Sequence, residues 1–324
     1  MKIGILGTGK IANVMAKTME LMEDAELIAV ASRSKEKAED FAFDYDLDLE
    51  KAYGSYEELA ADPDVELVYI ATPHSRHYED TMLMLKGGKH VLCEKAFMAN
   101  ASQAREVISY AKSHGLLVQE ALWTRFQPMT AILKDVLASG VLGEMSSLTA
   151  NFGADLRHVD RLIKPELAGG ALLDLGLYSL NFALTAFGSE GIEKITSTCT
   201  KNEYGVDLHN SIILTYTDGR TAILHSNAGA LLDNRAVVYG SQGRLEFESI
   251  NNSEGMLVCA KGGAIKCYNA PKQITGFEYE VQAVIDAIEE GKLECEQMPH
   301  SETIRLMEIM DELRAQWGIK YPFE

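Results

Sequence analysis

The feature that most constrains the fold is a glycine turn between an apolar strand and an amphipathic helix near the N-terminus. Residues 2–6 (KIGIL) form a short apolar run, and apolar residues recur at helical spacing from Ile11 to Met22. The turn between them reads Gly7-x-Gly9-x-x-Ala12. In a β-turn-α unit, the first glycine allows the tight turn and the second admits a pyrophosphate close to the backbone, while a small third residue lets the helix pack on the strand. The turn predicts a bound dinucleotide, although other nucleotide folds and a simple turn share the triplet.

The first 120 residues alternate short apolar strands with helices, which is typical of a doubly wound parallel sheet. Beyond them the pattern changes to strand-like runs with turn signals, flanked by helices. We therefore expect an α/β protein with a Rossmann dinucleotide-binding domain over residues 1–121. Residues 122–324 are expected to form an α+β domain for substrate binding and oligomerisation, with a large, mostly antiparallel open sheet.

The predicted elements follow from these periodicities. In the first domain they are the strands Lys2–Leu6, Leu27–Ala31, Val68–Ala71, His90–Cys93 and Leu116–Val118, and the helices Ile11–Met22, Lys35–Ala42, His77–Lys86 and Ser102–His114. In the second they are the helices Pro128–Ser139 and Gly169–Phe187, strands within Ile192–Asn269, and the helices Phe277–Glu290 and Ser301–Trp317.

Composition excludes several classes of partner. The formal net charge of -18 argues against binding to nucleic acid or to an anionic membrane surface. The five cysteines are scattered without a CxxC pair, so we expect neither a disulfide framework nor a metal site, and a reducing compartment fits best. The N-terminus lacks the features of a signal peptide, and no apolar run reaches the ~18 residues of a membrane-spanning helix. A cytoplasmic protein is expected.

The end of the second strand bears on which dinucleotide is bound. An NAD-binding domain usually has Asp or Glu there to hold the ribose 2′-hydroxyl. This chain has Ser32 and Arg33 instead, with Lys37 just beyond. These groups suit a 2′-phosphate, because Arg and Ser donate charge-assisted hydrogen bonds to it. NADP is favoured over NAD, while a solvated Arg33 is the simpler alternative.

A third cluster follows the strand at residues 90–93. There Glu94 and Lys95 emerge at the carboxyl edge of the predicted sheet, beside the cofactor crevice. An ammonium group at that edge is suited to hydrogen-bond a substrate oxygen and to lower the pKa of a neighbouring hydroxyl. Taken alone, a Glu-Lys pair is more often found on the surface.

Four motifs together resemble a known family. They are GTGKIA at 7–12, ATPHSRHYE at 71–79, GKHVLCEK at 88–95 and GGALLDLGLY at 169–178. The chain is similar to the glucose-fructose oxidoreductase / inositol dehydrogenase / rhizopine catabolism (Gfo/Idh/MocA) family. EALWTRFQP at 120–128 is most similar to its dimeric dihydrodiol dehydrogenase and D-xylose dehydrogenase branch.

The resemblance implies roles for three residues. Lys95 matches the catalytic lysine of the family's Glu-Lys-Pro motif, Tyr178 matches the position of a general acid/base, and Asp174 matches an acidic position of the same motif. The chain departs from the family at Ala96, where most relatives have Pro; this loses a neighbour with fixed φ and puts the rigidity of Lys95 in doubt.

The chemistry of these residues fits a dehydrogenase. Asp174 and Tyr178 are four residues apart on a predicted helix and therefore project from one face. Tyr titrates near ~10, and a nearby Lys95 ammonium would stabilise its phenolate. Tyr178 would then take the proton of a substrate hydroxyl as hydride leaves the same carbon. Without the resemblance, Tyr178 is more simply a helix residue against the core.

The remaining candidates are weaker. Trp123 and Arg125 follow the sixth strand and are predicted to line the substrate site, with core packing as the alternative for Trp123. His77 is predicted to open a helix near the cofactor, whereas His74 is expected to be exposed. The predicted cofactor-binding residues are Gly7, Thr8, Gly9, Lys10, Ile11, Ser32, Arg33, Lys37, Thr72, His77 and Glu94.

These patterns predict an NADP-dependent oxidoreductase, with NAD as the second choice of cofactor. It would transfer a hydride between nicotinamide and a polyol, sugar or cyclic diol, or reduce the matching carbonyl. Two alternatives keep the fold: a non-catalytic NAD(P)-binding regulator and an NAD-dependent glycosidase. The resemblance also implies a homodimer, since relatives pair through the broad exposed sheet of the second domain, and a sheet face of that size needs covering.

Overall fold

The computed structural model describes all 324 residues and divides into two compact units. The first contains Met1–Phe126 and Gln273–Ile304, and the second contains Gln127–Lys272 and Arg305–Glu324. Gln273–Ile304 therefore belongs to the first unit, although it lies far beyond the predicted domain boundary at residue 121.

The first unit is built on a six-stranded, wholly parallel sheet. Its strands are β1 (Lys2–Leu6), β2 (Glu26–Ala31), β3 (Ala52–Tyr53), β4 (Leu67–Ile70), β5 (His90–Glu94) and β6 (Val118–Ala121). They lie in the order β3-β2-β1-β4-β5-β6. This is the order of the doubly wound dinucleotide-binding fold, whose topological switch point lies between β1 and β4. Every residue of β4 is buried, as a strand with both faces covered requires.

Five helices connect these strands. They are α1 (Lys10–Met19), α2 (Lys35–Asp44), α3 (Tyr56–Ala61), α4 (His77–Lys86) and α5 (Ala101–Ser113). Their N-termini show why they begin where they do. Ser55 and Glu58 form a reciprocal capping box at α3, and the Asn100 side chain accepts a hydrogen bond from the Gln103 N–H at α5.

The second unit is built on an eight-stranded sheet. Its strands are β7 (Met145–Gly153), β8 (Ile192–Lys201), β9 (Asp207–Tyr216), β10 (Thr221–Asn227), β11 (Ala236–Gly240), β12 (Gly243–Phe247), β13 (Gly255–Ala260) and β14 (Ile265–Asn269). The order is β14-β13-β12-β11-β7-β10-β9-β8, and every pair is antiparallel except β7 with β10. The α/β fold class predicted from the sequence is confirmed.

Helices cover only one face of this sheet. They are α6 (Pro128–Ala138), α7 (Asp160–Ile163) and α8 (Leu177–Phe187), and α8 packs against β7, β10 and β11. On β9 the side chains of Ile212 and Leu214 are buried, whereas Ile213 between them is exposed. The alternation is that of a sheet with one face on the core and the other uncovered.

The stretch before α8 differs from the single helix predicted over Gly169–Phe187. Gly170 has a φ of +125°, which is incompatible with a helix, and the helical turn begins only at Leu172. Leu172–Gly176 is a π-helical turn that leads directly into α8. By length and hydropathy the region Pro165–Phe187 is apolar enough to cross a membrane, but 94% of its most apolar window is buried inside the protein, as in a core helix.

The last two helices are α9 (Glu278–Glu289) and α10 (His300–Trp317). In the second unit, the chain after α10 is fixed by Arg314, which forms two hydrogen bonds of 2.8 and 2.9 Å to the Glu324 carboxylate. The Arg314 guanidinium lies 4.5 Å from the centre of the Tyr321 ring, and the Tyr321 hydroxyl donates to the Gly169 carbonyl at 2.9 Å. These contacts anchor the C-terminal residues to the loop that precedes the π-helical turn.

Candidate functional site

Several predicted cofactor-binding residues of the first unit, and the predicted catalytic Lys95, follow the carboxyl ends of four neighbouring parallel strands. Thr8 and Lys10 follow β1, Arg33 follows β2, Thr72 follows β4 and Lys95 follows β5. Because parallel strands end at the same edge of a sheet, the topology places these residues along one edge, at the switch point where such folds bind ligands.

The glycine turn has the geometry that a dinucleotide requires. Gly7 has a φ of +105°, and a Cβ atom there would lie 3.0 Å from the Ala71 carbonyl oxygen. A Cβ on Gly9 would meet no atom within 4 Å, so the space beside that residue is open. Gly9 is the N-cap of α1, and no side chain caps that end. The N–H groups of the first turn and the helix dipole therefore favour an anion there, which fits a cofactor pyrophosphate.

The end of β2 presents positive charge and no carboxylate. Arg33 and Lys37 are exposed, and neither side chain forms an ion pair within the chain. Ser32 is buried, and its hydroxyl accepts a hydrogen bond from the Ser34 N–H at 3.4 Å. Ser34 in turn caps α2. This loop holds Ser32 firmly and leaves both cations available to a phosphate group.

Thr72 lies in a polar network just after β4. Its hydroxyl donates to Asp80 Oδ2 at 2.8 Å, and Arg76 donates to Asp80 Oδ1 at 2.8 Å. The Thr72 carbonyl lies 2.8 Å from Nε2 of the fully buried His77. Burial lowers the pKa of His77, although the neighbouring carbonyl groups and Asp80 act in the opposite direction.

Glu94 and Lys95 occupy different environments at the end of β5. Glu94 is buried, and its carboxylate accepts hydrogen bonds from the Tyr69 hydroxyl and, at 3.2 Å, from the Lys95 backbone N–H. Burial and the adjacent Glu94 hold the pKa of Tyr69 well above its usual range. Lys95 is half-buried, and the Lys95–Ala96 peptide bond is cis. The strand thus ends in a fixed carboxylate followed by a cation at the ligand-binding edge.

Two residues that the sequence reading did not select hold the segment after Lys95. His74 was expected to be exposed but is buried, and its Nε2 lies 3.1 Å from the Lys95 carbonyl. On β6, Glu120 accepts a hydrogen bond from the Phe97 N–H at 3.1 Å. An acidic residue within a short buried strand was the one sequence signal for Glu120, since such a group needs partners.

Glu120 also belongs to a cluster of buried acids in the first unit. It accepts a second hydrogen bond from the Thr303 hydroxyl at 3.0 Å, and burial raises its pKa to about 7. Glu280 on α9 is fully buried with no hydrogen-bond partner for either carboxylate oxygen. Burial, followed by the charges of Glu94 and Glu120, holds the pKa of Glu280 well above its usual range, which favours the neutral carboxyl group.

The structure packs Trp123 and Arg125 closely within the first unit. The Trp123 ring stacks on Phe277 with 4.0 Å between ring centres, and Arg125 forms a buried ion pair with Glu302 at 3.2 Å. Burial lowers the pKa of Arg125, while Glu302 opposes the shift. A direct contact of either residue with substrate stays a prediction.

Asp174 and Tyr178 belong to the second unit. Asp174, on the π-helical turn, is buried and accepts a hydrogen bond from Arg161 at 2.7 Å. Tyr178, on α8, is buried with its ring edge-on to Phe152 at 5.1 Å. Hydrogen bonds in a π-helical turn join residues five apart, so this pair does not follow the simple α-helical spacing expected from the sequence.

The start of the π-helical turn is fixed by Asp207 of β9. Its Oδ2 accepts hydrogen bonds from the Leu172 N–H and from Asn210 Nδ2, each at 2.8 Å, and Asn210 Oδ1 accepts from the Ser226 hydroxyl at 2.9 Å. Burial raises the pKa of Asp207 to about 6. This network satisfies a helical N–H at the start of the segment that carries Asp174.

Known families match both parts of the chain. Residues 1–122 match the model described as the oxidoreductase family with an NAD-binding Rossmann fold, and residues 130–246 match the GFO/IDH/MocA C-terminal domain. The chain is 37% identical over 330 residues to trans-1,2-dihydrobenzene-1,2-diol dehydrogenase of Bos taurus, covering 98% of this chain and 97% of the relative. It is 34% identical to the Xenopus tropicalis protein of the same name, covering 99% of both chains.

The chain belongs to the Gfo/Idh/MocA oxidoreductase family. It is an NAD(P)-dependent dehydrogenase or reductase. The resemblance seen in the sequence is thereby confirmed.

Two solved structures share the fold of this chain. The aldose-aldose oxidoreductase of Caulobacter crescentus, complexed with glycerol, has a TM-score of 0.88 at 23% identity and covers 98% of this chain and 97% of its own. A 3-ketoreductase of Actinomadura kijaniata, in complex with NADP and TDP-benzene, has a TM-score of 0.87 at 23% identity, with 97% of both chains covered.

The raised pKa of Glu120 makes the stability of the protein depend on pH. The ordinary pKa of Glu is about 4.3, and burial raises that of Glu120 to about 7. The folded state therefore binds the proton more tightly, and the stability gained from it is lost as the pH rises to about 7. In Glu120→Gln the amide does not titrate. Between pH 5 and pH 8 we expect the wild type to lose up to roughly 3 kcal/mol of unfolding free energy relative to this variant.

Urea denaturation at several pH values measures this difference. Glu289→Gln serves as the control, because it is the same substitution at an exposed position of α9. A difference between wild type and Glu120→Gln that stays constant from pH 5 to pH 8 would contradict the prediction.

Proposed function

We propose that the protein is an NADP-dependent enzyme that transfers a hydride between nicotinamide and a CH–OH group of a cyclic diol, polyol or sugar, or reduces the matching carbonyl. The observation that carries this proposal is the position of Lys95. It directly follows β5 at the same sheet edge as the open glycine turn after β1. A cation at that edge is suited to polarise a substrate oxygen beside a bound dinucleotide.

The names of the relatives support the substrate class. The relatives with 34–37% identity are named for trans-1,2-dihydrobenzene-1,2-diol, and a solved structure of the same fold is an aldose-aldose oxidoreductase. Cyclic diols and sugars share neighbouring secondary hydroxyl groups. We propose a substrate with such a pair, of which one hydroxyl is oxidised.

The proposed chemistry assigns one task to each side chain. The nicotinamide, when bound, accepts or supplies the hydride. Lys95 hydrogen-bonds the substrate oxygen and stabilises the negative charge that develops on it. Tyr178 takes the proton from the substrate hydroxyl, or returns it in the reverse direction. Asp174, held by Arg161 at 2.7 Å, maintains the segment that carries Tyr178.

The charges after β2 support NADP over NAD. The ribose 2′-hydroxyl of NAD is usually held by a carboxylate at this position, and residues 32–34 contain none. We propose that Arg33 and Lys37, together with the Ser32 hydroxyl, bind the 2′-phosphate. A cofactor-dependent glycosidase, which retains NAD through its catalytic cycle, is less consistent with this set of groups. A regulator without catalysis would not need both Lys95 and Tyr178.

A substrate screen tests the proposed activity. Purified protein should produce NADPH from NADP with at least one member of a panel of dihydrodiols, pentoses and hexoses. Lys95→Met should lower kcat by ~10²-fold or more, because a group that stabilises developing charge is lost, while NADPH binding measured by fluorescence stays unchanged. Lys86→Met is the control, since Lys86 is exposed at the end of α4. Turnover retained in Lys95→Met would reject the role of Lys95.

The cofactor preference can be tested at Arg33. In Arg33→Ala we expect the KM for NADP to rise by roughly 10-fold or more, because a charged hydrogen bond to phosphate contributes ~1.5–3 kcal/mol. The KM for NAD should hardly change. Lys17→Ala removes an exposed charge from the last turn of α1 and should affect neither constant. Equal changes for NADP and NAD would rule out a contact with the 2′-phosphate.

We further propose a homodimer formed through the uncovered face of the eight-stranded sheet. Ile213 on β9 is paired with Ile223 on β10, which is followed across the sheet by Thr149 on β7 and Val237 on β11. Ile213 and Ile223 are 41% and 48% exposed. Such a row of apolar and β-branched side chains on a flat, uncovered face favours burial against a second copy.

Sedimentation analysis tests the homodimer. The double variant Ile213→Lys, Ile223→Lys places two cations on the proposed interface and should convert a dimer to a monomer at micromolar concentration. Phe43→Lys, at an exposed apolar residue of α2, should leave the mass unchanged. A wild type that sediments as a monomer, or a double variant that remains dimeric, would contradict this arrangement.

A cytoplasmic location is proposed on the basis of cysteine chemistry. All five cysteines are free, and Cys93 and Cys295 are buried. Burial raises the pKa of both thiols, so they are poor nucleophiles. Free thiols of this kind fit a reducing compartment.

A further inference from the structure

We propose that His74 and His77 are positioning residues that fix the backbone of Lys95–Phe97 and so determine where the Lys95 ammonium lies. The inference rests on the proposed catalytic role of Lys95. Both histidines lie in the stretch between β4 and the first turn of α4, whereas the segment they hold follows β5.

The two side chains contact three consecutive carbonyl groups. His74 Nε2 lies 3.1 Å from the Lys95 carbonyl oxygen. His77 Nδ1 lies 2.9 Å from the Ala96 oxygen and 3.2 Å from the Phe97 oxygen. The rings meet edge to face, with 5.5 Å between their centres, and both are buried. Both buried rings thus contact the carbonyl oxygens of one short segment. We call His74 and His77 the clamp on Lys95–Phe97.

The clamp is anchored on its other side. His77 Nε2 lies 2.8 Å from the Thr72 carbonyl oxygen, and the Thr72 hydroxyl is bound to the buried carboxylate of Asp80. Carbonyl oxygens only accept hydrogen bonds, and a neutral imidazole has one N–H, so in that form His77 donates to one of the two sides while its other nitrogen lies against the second carbonyl. His77 therefore links the connection after β4 directly to the connection after β5.

A fourth hydrogen bond approaches the segment from the opposite neighbour in the sheet. The Phe97 N–H donates to Glu120 on β6 at 3.1 Å. Side chains from the connection after β4 and from β6 thus hold a segment that forms no sheet or helix of its own. This matters for a lysine, because a four-carbon side chain defines the position of its ammonium only as well as its backbone is held. A displacement of about 1 Å at a reacting group costs ~10²-fold in rate.

Substitution of His77 by Asn or Gln can separate the contact of Nδ1 with the lysine segment from the contact of Nε2 with Thr72. The nitrogen of Asn takes the place of Nδ1, so His77→Asn keeps a donor for the Ala96 carbonyl. The nitrogen of Gln takes the place of Nε2, so His77→Gln keeps the donor for Thr72 and loses the one that faces the lysine segment. We expect His77→Asn to retain kcat within ~10-fold and His77→Gln and His74→Phe to lose ~10²-fold. The KM for NADP should be nearly unchanged in all three, because the structure buries His77 with both ring nitrogens against backbone carbonyls, contrary to its predicted role in binding the cofactor.

His90→Phe is the matched control. His90 lies at the opposite end of β5 and accepts a hydrogen bond from the Leu117 N–H at 2.9 Å, so its loss should lower Tm without lowering kcat per folded molecule. The kcat values are measured with the diol or sugar identified by the substrate screen, well below the Tm of each variant. Unchanged kcat in both His77→Gln and His74→Phe would overturn the proposal, as would an equal loss in His77→Asn and His77→Gln.

Hydrogen exchange followed by mass spectrometry gives a readout that needs no substrate. In the protein without ligand, amides of residues 95–99 should exchange faster in His77→Gln and His74→Phe than in wild type or His90→Phe. If the screen finds no substrate, or Lys95→Met retains turnover, the proposed function fails while the exchange rates still decide whether the clamp exists. If Lys95→Met abolishes turnover but both histidine variants keep kcat and exchange rates, the positioning role alone is refuted.

Discussion

The arrangement on which the rest of the structure depends is the parallel pairing of β1 with β2 on one side and with β4 on the other. Parallel strands all deliver the chain to the same edge, and the order reverses between β1 and β4, which opens a crevice there. Had one of these strands been antiparallel, its following residues would emerge at the opposite edge. The glycine turn, Arg33, Thr72 and Lys95 therefore share an edge because of topology, although up to 88 residues separate them along the chain.

The loops at this edge lack sheet partners, so their backbone groups are satisfied by specific side chains and neighbouring loops. The Gly7 N–H donates to the Ala31 carbonyl at 2.8 Å, and the carbonyls of Lys95–Phe97 face His74 and His77. Buried polar groups of this kind are costly unless paired, which makes each loop conformation well defined. Glu280 on α9 is an exception: its carboxyl oxygens have no hydrogen-bond partner, and burial raises its pKa, which favours the uncharged form.

Periodicity and turn chemistry could predict the elements that bury continuous apolar runs, and α4 over His77–Lys86 has the predicted bounds. They missed β7 (Met145–Gly153), whose exposed face carries Ser and Thr and whose alternation is weak. They also missed the return of Gln273–Ile304 to the first unit, because tertiary packing leaves no local signal. Within the site, the glycine turn and the Glu94-Lys95 pair could be recognised in the sequence, whereas the buried position of His74 involves the Lys95 carbonyl group 21 residues away.

Ala96 shows how a local feature of the sequence and long-range contacts combine to set the backbone conformation. A proline at this position would restrict φ by its ring, independently of its surroundings. Alanine has no such restriction, so the conformation of the Lys95 segment depends on contacts made by other residues. His74 and His77 supply them from the stretch after β4, and Glu120 supplies one from β6. Contacts from these three side chains thus compensate for the absence of a proline at position 96. The position of the lysine therefore depends on these contacts as well as on its own backbone.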